Sequence, residues 1–410
     1  MRRSPSVTML SASQRGSRGS LAPNSSNSTS ALPTLDPNPY TDTPSGKQRS
    51  LPLIISVIVI VMIFAVPTIV GYNRAATELD VERGDYRHPP LIAKDYRLWN
   101  IAAITDLDKN SKQDGGKSYV ANMKRGQLKK DANGYFDVVW SADEKLKSGH
   151  NEGGRGMELS ELIDFQGKLY TMDDRSGIVF EAIREDTGDW HVAPKWILGE
   201  GDGSHDKGMK IEWAAIKDGE MVLGSFGKEY TAEDGSVISM NNNWVCFIDG
   251  EGRVRREDWT ALYNAIRRKV GAVFPGYVVH EAGAWSQRLK QWVFLPRRVS
   301  DQPYNDMLDE RKGSNLLVTV DPKGLKVEAR EVGTLTPERG FSTFKFVPGT
   351  EEKVIVAIKS EESEAAGTQD SYITVFTIDG KVSASQGTDD VHRSSLESHS
   401  PNPANQPASH

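Results

Sequence analysis

Residues 154–183 read GRGMELSELIDFQGKLYTMDDRSGIVFEAI. Within them, runs of Leu, Ile, Phe, Tyr and Val are cut into short pieces by Gln166-Gly167 and Ser176-Gly177. Such residues in strand-length pieces, with glycine turn pairs between them, predict short β-strands joined by tight turns. The same grammar extends in both directions: WNIAAIT and YFDVVW precede it, and MVLGSF, WVCFI, QWVFLP, NLLVTV, STFKFV, KVIVAI and SYITVFTI follow. Asn133-Gly134, Asp218-Gly219, Asp249-Gly250 and Asp379-Gly380 supply further turns. Helical periodicity stands out at 257–270 (EDWTALYNAIRRKV), where Trp259, Leu262, Tyr263 and Ile266 fall on one face. So many strands with so little helix predict an all-β sandwich, barrel or propeller. Strand clusters recur near Trp99, Met157, Glu212, Tyr277 and Phe341, and five blade-sized units favour a five-bladed β-propeller over residues 97–382.

Polar residues interrupt these strands at regular places. GRGMELSEL (154–162), KIEWAAI (210–216), VVHEAGAWS (278–286) and RGFSTFKF (339–346) each set one oxygen-bearing side chain among apolar or glycine neighbours. These are Ser160, Glu212, Glu281 and Ser342, spaced by 52, 69 and 61 residues, about one per blade. Equivalent positions on innermost strands converge on a propeller's axis. Two carboxylates and two hydroxyls there make an all-oxygen set, suited to a hard cation and to Ca²⁺ before Mg²⁺. The plainer alternative is that each glutamate is solvated or half of an ion pair, and each serine merely small.

The flanks differ from the propeller. Residues 1–50 are rich in Ser, Pro, Thr and Asn and predict a disordered tail. Arg2, Arg3, Arg15, Arg18, Lys47 and Arg49 against Asp36 and Asp42 give that tail +4, so the remainder carries −10 of the total −6. From Ser50 to Asn73 no residue is charged, and 24 such positions suffice to cross a bilayer. Residues 51–73 are therefore expected to be a transmembrane signal anchor, 74–96 a stem and 383–410 a disordered C-terminal tail. Lys47 and Arg49 precede the apolar run, while Glu78, Asp80, Glu82 and Asp85 follow it. The positive-inside bias then predicts a single-pass type II protein with its propeller ectodomain lumenal. Sequons occur at Asn24 and Asn27, both in the tail, so a cytosolic tail carries no N-glycan.

Composition removes other classes. The single Cys246 forbids an intramolecular disulfide and a multi-cysteine zinc site. Eight histidines form no HExxH pair, and a pI near 5.8 argues against nucleic acid as a partner. At 37% hydrophobic residues the chain as a whole is not disordered. Asp114-Gly115-Gly116-Lys117-Ser118 ends like a P-loop but lacks the leading glycine, and no GxGxxG, GxSxG or kinase signature is present. A second set of charged residues remains: Asp106 and Asp108, Arg155, Asp173, Asp174 and Arg175, Lys228 and Glu229, Arg297 and Arg298, then Glu310, Arg311, Lys312, Lys345 and Lys359. Paired arginines can clamp phosphates bidentately, and they as often form structural salt bridges.

GRGMELSELIDFQGKLYTMDDRSGIVFE, ILGEGDG with KIEWAAIKDG, FPGYVVHEAGAWS, QWVFLPRR, DERKGSNLL, GFSTFKFVPGT and IVAIKSEE resemble, in order, the calcium-activated nucleotidase or soluble apyrase family. The resemblance runs from about Trp99 to Gly380. It implies a five-bladed propeller holding one Ca²⁺ near its axis and hydrolysing nucleoside di- and triphosphates, with UDP, GDP and UTP preferred. By motif it places Ca²⁺ at Ser160, Glu212, Glu281 and Ser342, the residues that blade spacing isolates. It further implies that Asp106 or Glu158 positions or deprotonates a water. Arg297 and Arg298 would contact phosphate, and Arg155, Asp174, Arg175, Lys312, Lys345 and Lys359 would line the nucleotide site. A Golgi or endoplasmic reticulum setting accords with removal of a nucleoside diphosphate product. Secretion after cleavage in the stem, and pairing into a homodimer, stay open.

One departure is sharp. Family members finish on a strand carrying a further ligand-type glutamate, whereas this chain ends KVSASQGTDDVHRSSLESHSPNPANQPASH, with Glu397 in foreign surroundings. Closure of the last blade and a fifth ligand are therefore the weak points expected of this sequence. A membrane-tethered binding propeller with impaired catalysis is the rival expectation.

Overall fold

Two-residue turns set the architecture. Gln166 and Gly167 both take positive φ (54° and 75°), as do Asp218 and Gly219 (51° and 84°), the backbone twist that folds one strand back beside the next. The computed structural model describes residues 6–8, 98–232, 235–363, 368–383 and 392–394. The expected span 51–73 and stem 74–96 lie outside these, as does the expected N-terminal tail apart from 6–8. Among the described residues no helix is long and apolar enough to cross a membrane.

Five sheets follow one another along the chain. The first contains β1 (Ser6–Thr8), β2 (Leu98–Ile104), β4 (Ser118–Lys130) and β5 (Phe136–Ser148), with the short β3 (Lys112–Gln113) also paired to β4. The second is β6 (Leu159–Phe165), β7 (Lys168–Asp173), β8 (Ile178–Arg184) and β9 (Trp190–Ile197). The third is β10 (Trp213–Lys217), β11 (Glu220–Gly224), β14 (Trp244–Ile248) and β15 (Val254–Asp258), with a side ribbon of β12 (Tyr230–Thr231) and β13 (Val237–Ser239). Helix α1 (Thr260–Val270) precedes the fourth, made of β16 (Tyr277–Ser286), β17 (Gln291–Ser300), β18 (Leu316–Val320) and β19 (Val327–Glu331). A single helical turn, α2 (Asp306–Asp309), lies between β17 and β18. The fifth is β20 (Arg339–Phe346), β21 (Val354–Ser363), β22 (Thr368–Thr377) and β23 (His392–Ser394). This is the expected all-β, five-bladed propeller, and each expected unit start falls within two residues of the start of β2, β6, β10, β16 or β20.

Apolar residues fill the seams between blades. Five clusters correspond to five seams: Ile104, Met123 and Leu159 join the first blade to the second, and Met172, Met221 and Ile248 the second to the third. Trp213, Trp259, Trp292 and Phe294 join the third to the fourth, with Tyr263 and Ile266 of α1 packed in. Leu295, Phe341 and Phe376 join the fourth to the fifth. The last seam, Trp99, Leu128 and Phe136 against Val356, Ile358 and Val375, closes the ring, and the Trp99 indole donates to the Pro348 carbonyl at 3.0 Å. Ring closure thus rests on residues before 383. Of the C-terminal stretch, His392–Ser394 pairs antiparallel with Ser371–Ile373 at the outer edge of the fifth blade, where sequence predicts no strand. Glu397 lies outside the described residues.

β1 pairs parallel with β2, Ser6 against Asn100 and Thr8 against Ala102, and touches β6 and β20 on the axial side. A single membrane span at 51–73 would put residues 6–8 and 98–104 on opposite faces of a bilayer. The span and this pairing exclude one another in the same molecule.

The Trp213 indole lies on Gly224, where an added Cβ would come within 2.1 Å of the ring. Gly224→Ala is therefore expected to lower stability by about 1–3 kcal/mol through overpacking of the third blade, read as the unfolding midpoint in urea.

Candidate functional site

Three of the four axial residues picked out by spacing sit where an inner strand skips a beat. The ladder between β6 and β7 runs Leu159↔Asp173 and then Glu161↔Met172, leaving Ser160 out. Between β20 and β21 it runs Phe341↔Lys359 and then Thr343↔Ile358, leaving out Ser342. Between β16 and β17 it passes from His280↔Pro296 to Gly283↔Phe294, leaving out Glu281 and Ala282. A bulge re-aims the extra residue's side chain while the strand continues in register. Glu212 stands just before β10, and its N–H donates to the Gly224 carbonyl at 2.8 Å.

Protein cations tie these residues together in pairs. The Arg297 guanidinium contacts Glu281, donates to Ser342 Oγ at 3.0 Å and reaches Glu362 Oε1 at 2.5 Å. Ser342 and Ser360 hydroxyls lie 2.7 Å apart. Lys210 contacts Asp174 and sits 2.7 Å from Glu212. Ser160 Oγ donates to the Ile211 carbonyl, next to Glu212. Burial raises the Glu212 carboxyl to about 8 despite Lys210, with help from Glu281 and Asp174, so Glu212 and Glu281 feel one another. Glu281 is also raised, by burial and then Glu362, against the opposing pull of Arg297. Burial alone would lower Lys210, but Asp174 and Glu212 hold it above the usual lysine range.

A second knot forms beside the first. Asp106 and Asp108 follow β2, and the Asp108 N–H donates to Asp106 Oδ1 at 2.7 Å. Arg155, ahead of β6, donates through Nε to Glu158 Oε1 at 2.7 Å and also contacts Asp108. The Asp174 N–H donates to the Glu158 carbonyl at 3.0 Å. One ligand oxygen from each of Asp106, Asp108 and Glu158 lies within 4.8 Å of the others, and all three residues are buried. Burial, then Asp174, Asp108 and Glu158, pushes Asp106 well above the carboxylate range. Asp108 rises to about 7 through burial and Glu158, although Arg155 opposes it. Glu158 rises through burial and Asp174, again against Arg155.

The remaining expected residues divide. Arg298, 2% exposed, is 3.5 Å from Asp309 Oδ2, and its Nε and one terminal nitrogen have no hydrogen-bond partner among the described residues. Burial and the adjoining Arg297 lower its proton affinity. Arg175 lies at the rim, 3.9 Å from Glu152. Lys345 is held by Glu161 at 2.8 Å, Lys359 lies over the Phe341 ring at 4.5 Å, and Lys312 is half-buried behind β17. Asp173 is architectural: its carboxylate accepts the N–H groups of Met157, Arg175 and Ser176 at 2.8, 2.9 and 3.3 Å. Glu229 and Arg267 form a buried pair at 2.6 Å beneath α1. Sequence reasoning passed over Lys210, Asp309 and Glu362. All three lie inside strings already quoted, and their signals were a charge two residues from Glu212, the acidic residue that opens DERKG and an acidic doublet near the end of β21.

The connected network sets eight carboxylates (Asp106, Asp108, Glu158, Asp174, Glu212, Glu281, Asp309, Glu362) against four cations (Arg155, Lys210, Arg297, Arg298). Formal negative charge exceeds positive by four; burial first, and the neighbouring carboxylates after it, raise the proton affinity of Asp106, Asp108, Glu158, Glu212 and Glu281. An all-oxygen donor set with that excess fits a hard divalent cation such as Ca²⁺. Ser160, Glu212, Glu281 and Ser342 are the residues that would hold it at the axis.

A family model described as "Apyrase" matches residues 107–390. "Soluble calcium-activated nucleotidase 1" of Rattus norvegicus is 42% identical over 285 residues, covering 69% of this chain and 69% of that one. "Apyrase" of Cimex lectularius is 38% identical over 300 residues, 72% of this chain and 80% of the relative. "Apyrase apy-1" of Caenorhabditis elegans is 40% identical over 294 residues, covering 71% and 80%.

Proposed function

This chain belongs to the apyrase family of nucleotide-hydrolysing enzymes, and on that premise we propose that it cleaves the terminal phosphate from nucleoside di- and triphosphates in a calcium-dependent reaction. UDP, GDP and UTP are the preferred substrates in this reading. The observation that carries it is the excess of carboxylates over cations at one end of the inner strands, a field that suits a divalent cation and, through it, a phosphate chain. Calcium, when bound, neutralises phosphate charge and polarises the bond to be broken.

The chain's own residues then divide the work. Arg297 fixes Glu281, Glu362 and Ser342 relative to one another, so it positions the axial donors. Arg298 is ion-paired to Asp309 and Glu362, but its Nε and one terminal nitrogen have no hydrogen-bond partner among the described residues, and in this reading it offers such N–H donors to phosphate oxygens. Asp106 and Glu158 orient the attacking water; Arg155 holds Glu158 and Asp108 in place for this. The rival reading, a binding propeller disabled by its altered C-terminus, rests on an open last blade or a missing fifth ligand; the Trp99–Val356 seam argues against the first, and Glu397 lies outside the described residues.

The deciding assay is release of inorganic phosphate from UDP by the full chain. Calcium should support turnover, and a calcium-selective chelator should abolish it. Undiminished activity in Mg²⁺ with that chelator present would overturn the proposal.

On the uncharged run Ser50–Asn73 alone, we also propose tethering to a Golgi or endoplasmic reticulum membrane with the propeller lumenal. This requires the β1 pairing to be absent from the tethered form. Protease added to sealed vesicles should then remove an N-terminal tag and spare the propeller; a protected tag refutes the topology.

A further inference from the structure

We propose that Asp106, Asp108 and Glu158 form a divalent-cation pocket of their own, beside the axial donors rather than part of them. The proposal deepens the reading above and rests on it for the reaction, though not for the binding itself.

The argument starts from which oxygens are already used. Arg155 approaches from one side and takes Asp108 Oδ1 and both Glu158 oxygens. Asp106 Oδ1 accepts the Asp108 N–H at 2.7 Å. What remains is Asp106 Oδ2 and Asp108 Oδ2, buried and without any hydrogen-bond donor among the described residues. A third such atom comes from a different turn. Asp174 Oδ1 is equally buried and unpartnered, although Asp174 Oδ2 is held by Lys210. Asp106, Asp108 and Asp174 are 2%, 4% and 3% exposed, so water does not replace the missing donors from the surface.

Buried polar atoms are almost always satisfied, and a carboxylate oxygen left bare is the costly exception. Two bare oxygens belong to Asp106 and Asp108, which with Glu158 bring one ligand oxygen each within 4.8 Å of one another, and together they mark a position built to receive positive charge. The donors are all carboxylate, which selects a hard cation. The axial donors offer a useful contrast. Glu212 is met by Lys210, Glu281 by Arg297 and Ser342 by Arg297, so there the protein brings its own cations close. In the pocket Arg155 leaves the inward-facing oxygens uncovered. Asp174 borders the pocket through Glu158 and the axial set through Lys210, so the two proposed cation positions are neighbours. Paired metal sites of this kind serve phosphate-ester and anhydride cleavage in unrelated folds.

The test counts calcium bound per folded full-length chain at equilibrium, by dialysis in detergent followed by elemental analysis. Wild type is expected to bind one calcium more than the double variant Asp106→Asn, Asp108→Asn. The double variant should also melt no lower than wild type in calcium-free buffer, because it removes two of the repelling charges. Equal calcium counts in the two proteins overturn the proposal. Should the double variant not fold, Asp108→Asn alone is expected to weaken one calcium-binding step at least tenfold, and an unchanged titration overturns the proposal instead. Glu281→Gln reports separately on the axial donors. If it loses an ion while the pocket variants lose none, the pocket is refuted and the axial reading stands. If the pocket variants lose an ion and Glu281→Gln does not, the pocket stands and the axial reading falls.

Discussion

Replacing Arg297 with methionine is expected to destabilise the propeller by about 3–5 kcal/mol and to remove activity. Arg297 is 3% exposed and lies between Glu281, Glu362 and Ser342, all on inner or adjoining strands of the fourth and fifth blades. Methionine fills most of the same volume, so the loss comes from charge rather than from a cavity. Two carboxylates would face one another, with Arg298 3.9 Å from Glu362 and Lys210 acting on Glu281 only from a distance. Burial tends to strip the proton from Arg297, yet those two glutamates hold it in the charged form. The measurement is the urea unfolding midpoint with and without calcium. Adding Glu362→Gln to Arg297→Met should recover part of the loss, since one orphaned charge is then gone. If Arg297→Met unfolds at the wild-type midpoint, the guanidinium is not what holds these carboxylates.

Asp106→Asn is expected to cut kcat for UDP by roughly 10²–10³ while leaving the fold intact, the cost of losing one group that orients the reacting water. Asparagine is nearly isosteric and keeps an oxygen to accept the Asp108 N–H. It removes one negative charge from a cluster in which Asp174, Asp108 and Glu158 all act against the ionised form. Stability should therefore hold or rise in the absence of calcium. A loss of activity accompanied by a lower melting temperature would instead mean that the carboxylate is architectural. KM is expected to change far less than kcat, because Asp106 is not assigned a contact with the bound phosphates.

Sequence alone carried the ring of five strand clusters and named candidates for its axis. Inner and middle strands are packed between neighbouring blades, so both their faces are apolar and they announce themselves, as Leu159–Phe165 and Val354–Ile358 do. Outer strands have no such signal. Val254–Asp258 (VRRED) and Val327–Glu331 (VEARE) are polar because they face solvent along an edge, and neither was read as a strand. Ser160, Glu281 and Ser342 were picked by spacing, and the ladders set each at a bulge: Ser160 and Ser342 are skipped singly, Glu281 together with Ala282. The acidic knot was legible only in pieces. Asp106 and Asp108 lie some fifty residues before Glu158, and nothing local says that Arg155 bridges them. Lys345 and Lys359 show the same limit: nothing local says that Lys345 meets Glu161 of the second blade or that Lys359 lies over the Phe341 ring.

The bulges also bear on how this fold can change over generations. In a regular strand, deleting one residue turns every later side chain to the opposite face and ruins the packing beyond it. Ser160 and Ser342 are exempt, because removing either restores plain alternation with its partner strand and leaves the faces on both sides as they were. The chemistry at these two positions is therefore detachable from the scaffold. A lineage could shed a donor by losing one codon, keep a sound propeller, and regain a donor by inserting one, with no rearrangement of the blades between.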